Sequence, residues 1–129
     1  MVKFSSPLAA IYTTSTMEHH HFNQTVAILQ QEGHNIFRSL TPQEYREVLG
    51  NIKHCILATD LALFFPNKNT VKVLLEKNEF DWKNPEHRMK LQAIVMTGCD
   101  LSAATKPWEI QQQTVKTIME EFYEQANFY

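Results

Sequence analysis

Thr41-Pro42-Gln43-Glu44 is the feature that most restricts the fold. A threonine followed three residues later by glutamate can exchange two hydrogen bonds with the helix it opens. Proline suits the first helical position, where its missing N–H would be unpaired anyway. Beyond this box Tyr45, Val48, Leu49, Ile52, Ile56, Thr59 and Leu63 recur at helical spacing, so one stripe should face a core. The pattern predicts a helix to about Phe64 that stops before Pro66, because the residue ahead of a proline avoids helical geometry. Gly50 inside it costs about 1 kcal/mol relative to alanine, which a buried face can override.

The remaining segments follow the same period. Pro7 to Tyr12 allows one short turn, and Thr13 to Thr16 supply cap candidates for a helix from about Met17 to Gln31. Its apolar positions are Met17, Phe22, Val26, Ile28 and Leu29, with Gly33 as the residue that closes its C-terminus. Asn69 is placed to cap a short helix over Thr70 to Asn78, with Val71, Leu74 and Leu75 inward. Asn84-Pro85-Glu86 starts another, whose Leu91, Ile94, Val95 and Gly98 form an apolar face up to Leu101. A last helix opens at Pro107 and runs to about Gln125, burying Ile110, Val115, Ile118, Met119 and Phe122. Alternating strand patterns are absent and glycines number only three, so the expected fold is all-α, a helical array of six helices or fewer. Residues 1 to 7 carry no pattern.

Composition narrows the function classes. A chain of 129 residues with 43% hydrophobic and 20% charged side chains is one domain at most, and too apolar for a disordered segment. A net charge of −2 offers no electrostatic case for a nucleic acid polymer or an anionic membrane. No apolar run approaches the roughly 18 residues of a membrane span, and no signal-peptide core precedes the first helix. Cys55 and Cys99 lack CxxC spacing and read as reduced core thiols of a cytoplasmic protein. Trp82, Trp108, Phe122 and Tyr123 read as packing residues rather than a base-stacking platform.

Three places carry possible chemistry. Asp100 ends an apolar helical run, with no basic residue within five positions, and is followed by small residues up to Trp108. A carboxylate among Met, Gly, Cys, Leu and Ala needs a partner, either a structural Lys or Arg or a metal. Glu18-His19-His20-His21 places Glu18 and His21 on one helical face, but no HExxH or i, i+4 histidine pair occurs, which removes the zincin reading. The alternatives there are a functional cluster or an exposed histidine patch. Thr59 and Asp60 have a plain structural account too: a hydroxyl bonded to the carbonyl four residues back, and a surface ion pair with lysine.

Met96 to Trp108 resembles the MTACDLSAITKPW segment of the class I cyclic nucleotide phosphodiesterases, with Gly98 in place of the usual alanine. Ser15 to Phe22 and Ile56 to Leu63 match further blocks of that family in the same order. The resemblance runs from about Ser6 to Gln125 and is lost at Ala126 to Tyr129. Within the family it looks nearest to the GAF-containing, dual-specificity branch, in particular the type-eleven enzyme, through Glu32-Gly-His-Asn-Ile-Phe37.

The resemblance implies an all-α catalytic domain that hydrolyses cyclic AMP, cyclic GMP or both to 5′-monophosphates, using zinc and magnesium (or manganese). By the family's pattern Asp100 is a metal ligand, and Glu18, His20, His21, Thr59 and Asp60 support the metal-bound waters and the ligating histidines. Leu101, Ala104 and Gln111 would line the nucleotide pocket. The family's general-acid histidine and the other metal ligands belong to HNxxH and HD motifs upstream of Met1. The glutamine and phenylalanine that hold the purine lie beyond Tyr129. The chain therefore reads as the middle of a longer catalytic domain, cut at both ends and inactive alone. A second expectation is a non-catalytic truncated module that binds or regulates a full-length phosphodiesterase, or pairs with a second copy. A third is a plain helical bundle.

Overall fold

The computed structural model describes residues 7–127, and the unpatterned residues 1–6 together with Phe128 and Tyr129 lie outside that range. Every regular element among the described residues is helical. In chain order these are α1 (Pro7–Ile11), α2 (Thr16–Leu29), α3 (Pro42–Leu57), α4 (Leu61–Glu76), α5 (Pro85–Asp100), a 3-10 turn (Ser102–Thr105) and α6 (Trp108–Asn127). They fall into two compact units, divided after Thr97.

Three of the start signals are where the sequence puts them. Thr41 is extended and its hydroxyl accepts the Glu44 N–H, while Glu44 Oε2 accepts the Thr41 N–H at 2.9 Å. These two bonds satisfy donors that the first turn of a helix leaves free. Asn84 Oδ1 accepts the Glu86 N–H at 2.9 Å and opens α5 in the same way. α6 begins at Trp108, immediately after Pro107.

The expected long helix through Thr59 to Phe64 is instead two helices. α3 stops at Leu57, α4 starts at Leu61, and their axes differ by 102°. Asp60 causes the break: its backbone is extended and its Oδ1 accepts the Ala62 N–H at 2.9 Å, so it caps a new helix rather than continuing the old one. Thr59 turns its hydroxyl back to the Ile56 carbonyl at 2.7 Å, three residues away rather than the expected four. Pro66 does not end a helix either. It lies inside α4, which runs on over the segment expected as a separate helix capped by Asn69. Its missing N–H leaves the Ala62 carbonyl without the usual donor, a cost that tertiary packing overrides.

The first unit holds the core. Leu29, Ala58, Val71 and Ala93 are buried, one from each of α2, the α3–α4 corner, α4 and α5. Thr97 is the one buried polar residue among the described residues, and its hydroxyl lies 3.2 Å from the Ala93 carbonyl and 3.3 Å from that of Ala58. α2 packs on α1 and α3, with the Lys53 ammonium 5.7 Å from the Phe22 ring centre. α5 is tied to α3 by His54 Nε2 at 2.9 Å from the Met89 carbonyl, and to α4 by the Lys90 ammonium donating to Asn67 Oδ1 at 3.1 Å.

Several residues expected inside are on the surface. Met17, Ile28, Leu63, Leu75 and Val95 are exposed, as are the whole apolar stripe of α6 and the aromatics Trp82, Trp108, Phe122 and Tyr123. Cys55 is half-buried and Cys99 exposed, so neither is a core thiol. The helical period placed these residues on apolar faces correctly, but nothing among the described residues covers those faces. Gly33 takes a positive φ of 77° as a closing glycine would, yet α2 ends earlier, at Leu29, and Gly33 lies in the turns beyond.

Candidate functional site

The candidate residues fall into two groups, one in each unit. In the first unit α2 carries Glu18, His20 and His21, the first two half-buried and His21 exposed. The His20 and His21 rings lie 6.3 Å apart and tilted, as successive positions of one helix require. Thr59 and Asp60 are half-buried at the α3–α4 corner. A hydrogen bond joins this corner to the start of α2: the Ser15 hydroxyl donates to Asp60 Oδ2 at 2.7 Å. The surface lysine expected for Asp60 is thus replaced by a serine from a distant helix start, and its other oxygen is used in capping α4.

His19 lies in α2's first turn, against Ser15 and Tyr12. Its Nδ1 is 2.9 Å from the Ser15 carbonyl, and its ring stacks on Tyr12 with centres 5.0 Å apart. Tyr12 in turn accepts a hydrogen bond from the Asn23 amide. These contacts brace the histidine-bearing turn against α1.

In the second unit Asp100 is the last residue of α5 and is exposed. Leu101 follows as an exposed residue, and its carbonyl accepts the Ala104 N–H at 3.1 Å as the 3-10 turn begins. That turn packs against α6, where Gln111 is half-buried. Gln111 Oε1 is buried with no hydrogen-bond partner among the described residues. A buried acceptor left unpaired costs about 1–3 kcal/mol, so a donor from outside these residues is the natural complement.

No three His, Cys, Asp or Glu side chains among the described residues converge as a metal centre would need. Zinc takes about four ligands and a catalytic centre at least three from protein. The described residues do not by themselves fit such a centre; Asp100 offers one anionic oxygen donor. A groove of about 600 Å³ in the first unit, lined by His54, Leu57, Ala58, Pro66, Met89 and Ala93, contains none of the candidate residues.

Comparison with known proteins decides the family. The profile of the 3'5'-cyclic nucleotide phosphodiesterases matches residues 1–128. The chain belongs to this family. It is 61% identical over 127 residues to the "Probable 3',5'-cyclic phosphodiesterase pde-5" of Caenorhabditis elegans, covering 98% of this chain and 17% of that protein. It is 49% identical over 125 residues to the cGMP-specific 3',5'-cyclic phosphodiesterase of Drosophila melanogaster, covering 97% of this chain and 11% of that one. The relative from Drosophila virilis is equally similar, at 14% of its length. The chain thus spans less than a fifth of these phosphodiesterases. Their names do not narrow the family to the type-eleven enzyme.

Sequence reasoning missed Ser15 as a partner of Asp60. It was visible only as one of several cap candidates, because nothing in the sequence pairs residues 45 positions apart.

Proposed function

We propose that these 129 residues are part of a catalytic domain that hydrolyses 3′,5′-cyclic nucleotides to 5′-monophosphates, with cyclic GMP among its substrates. The family match over residues 1–128 carries the reading. The names of the relatives from Drosophila, at 49% identity, favour cyclic GMP. Descent from the GAF-containing branch is part of the same proposal.

In this reading the metals the family implies, zinc and magnesium (or manganese), would supply an activated water and charge stabilisation at phosphorus, and Asp100 would be the residue of this chain that helps to hold them. Asp100 supplies one ligand, and the remaining ligands and the general acid come from outside the 129 residues. Glu18, His20, His21, Thr59 and Asp60 orient the donors around that centre. Leu101, Ala104 and Gln111 form part of the nucleotide pocket wall, with the unpaired Gln111 oxygen available to a donor supplied from elsewhere. The exposed apolar stripe of α6 suits a segment meant to be covered by the rest of such a domain.

The test is a graft. The matched 127 residues of the Caenorhabditis elegans relative are replaced by this chain, and hydrolysis of cyclic GMP and cyclic AMP is measured. Turnover that Asp100→Ala abolishes while the protein stays folded supports the reading. A folded graft with no turnover overturns it.

A further inference from the structure

Ser15 is the N-cap residue of α2, yet its side chain makes no capping bond. Its backbone is left-handed, φ 46° and ψ 49°, a conformation that residues other than glycine and asparagine rarely adopt. Serine at this position is therefore held against its own preference, and such outliers cluster where geometry serves function. The turn is accompanied by a 2.7 Å bond from the hydroxyl to Asp60 Oδ2, across 45 residues of sequence.

The consequences fall on both sides of that bond. Asp60 Oδ1 accepts the Ala62 N–H, so each of its two oxygens has its own donor and the carboxylate cannot rotate without straining one of the two bonds. A hydrogen bond to an ionised carboxylate is among the stronger ones available to a half-buried group. On the α2 side the Ser15 carbonyl accepts the His19 N–H at 3.0 Å and lies 2.9 Å from His19 Nδ1. One residue thus links the first turn of the histidine-bearing helix to the corner that carries Thr59 and Asp60.

We propose that Ser15 is a positioning residue of the catalytic centre, fixing the Asp60 carboxylate relative to Glu18, His20 and His21 of α2. The proposal rests on the function proposed above, and it acts through Asp60 rather than on substrate. With the hydroxyl gone, the carboxylate loses the contact that orients its second oxygen, is free to rotate, and holds the Ala62 N–H less firmly.

Ser15→Gly isolates the hydroxyl, because glycine accepts the left-handed backbone without strain. In the graft, this variant should retain its melting temperature and its KM for cyclic GMP. Its kcat should fall about tenfold, the lower end of what removing such an outer partner does. An unchanged kcat overturns the proposal, and so does a fall in kcat fully accounted for by loss of folded protein. Amide exchange in the 129-residue chain supplies a readout independent of activity. Ser15→Gly should lose protection at Ala62 while Tyr45 in α3 keeps its own. Equal protection at Ala62 overturns the clip, whatever the graft does. A graft inactive even with Ser15 in place refutes the function proposed above, and the Ala62 measurement then still judges the clip by itself.

Discussion

Thr97→Val tests the packing of the first unit at a buried polar residue. Valine keeps the shape of the side chain and removes the hydroxyl that faces the Ala58 and Ala93 carbonyls. The Ala93 carbonyl lies inside α5 and keeps its helical donor. Ala58 is the C-cap of α3, where carbonyls have no partner within the helix, so its bond comes from Thr97. A hydroxyl has one proton, and at 3.3 and 3.2 Å it is shared between two distant acceptors. The loss is therefore that of a single weak bond plus the penalty of a buried, unpaired acceptor. This puts the cost at about 1–1.5 kcal/mol, the lower part of the usual range. Thr97→Ser keeps the bond and loses one buried methyl, about 1 kcal/mol, and Thr97→Ala loses both, about 2 kcal/mol. Urea unfolding followed by far-UV circular dichroism reads all three. A Thr97→Val chain as stable as the parent, or more so, would refute the role given to this hydroxyl.

Other expectations follow from single residues. Gly50→Ala and Gly98→Ala each add a methyl that meets nothing within 4 Å, so each should stabilise its helix by about 0.5–1 kcal/mol; a lowered unfolding midpoint contradicts this. Glu44 should titrate below its ordinary 4.5, first because of the Thr41 N–H and second because of the Thr41 hydroxyl. A carboxylate lowered on folding contributes stability above its unfolded value, and that contribution disappears as pH falls through the folded one. Thr41→Ala should raise the Glu44 value only partway, since the backbone donor remains, and should cost about 1 kcal/mol of helix capping. Carbon-detected NMR titration and thermal melts check both. Ile118→Glu and Phe122→Glu, on the exposed stripe of α6, should change the stability of this chain by less than about 0.5 kcal/mol. A large loss in a melt would show that the stripe is already packed.

Local signals in the sequence were strong enough to place most helix starts. Thr41 with Glu44, Asn84 with Glu86, and Pro107 each act within four residues, so their chemistry is complete in the sequence. Thr59 to Phe64 was misread because the apolar stripe continues through the break, and Asp60 looks the same in a helix as at a cap until a partner is known. Its capping partner, the Ala62 N–H, is local, whereas the Ser15 hydroxyl that holds its other oxygen is 45 residues away. Pro66 misled for the opposite reason: its local cost is real, yet the helix continues through it to the buried Val71. Burial was the least legible property. Helical period shows that Ile110, Val115, Ile118, Met119 and Phe122 share a face, but only a neighbour can bury it. Blocks that revealed the family also singled out the candidate residues by type, whereas their grouping into two units could be seen only in three dimensions.

The most direct measurement is hydrolysis of cyclic GMP and cyclic AMP by the purified 129-residue chain, with zinc and magnesium supplied and an EDTA control. If Asp100 is one ligand of a centre completed from outside these residues, the chain alone gives no turnover. Turnover that EDTA abolishes and Asp100→Ala removes would contradict the account, because the chain would then hold a complete centre of its own.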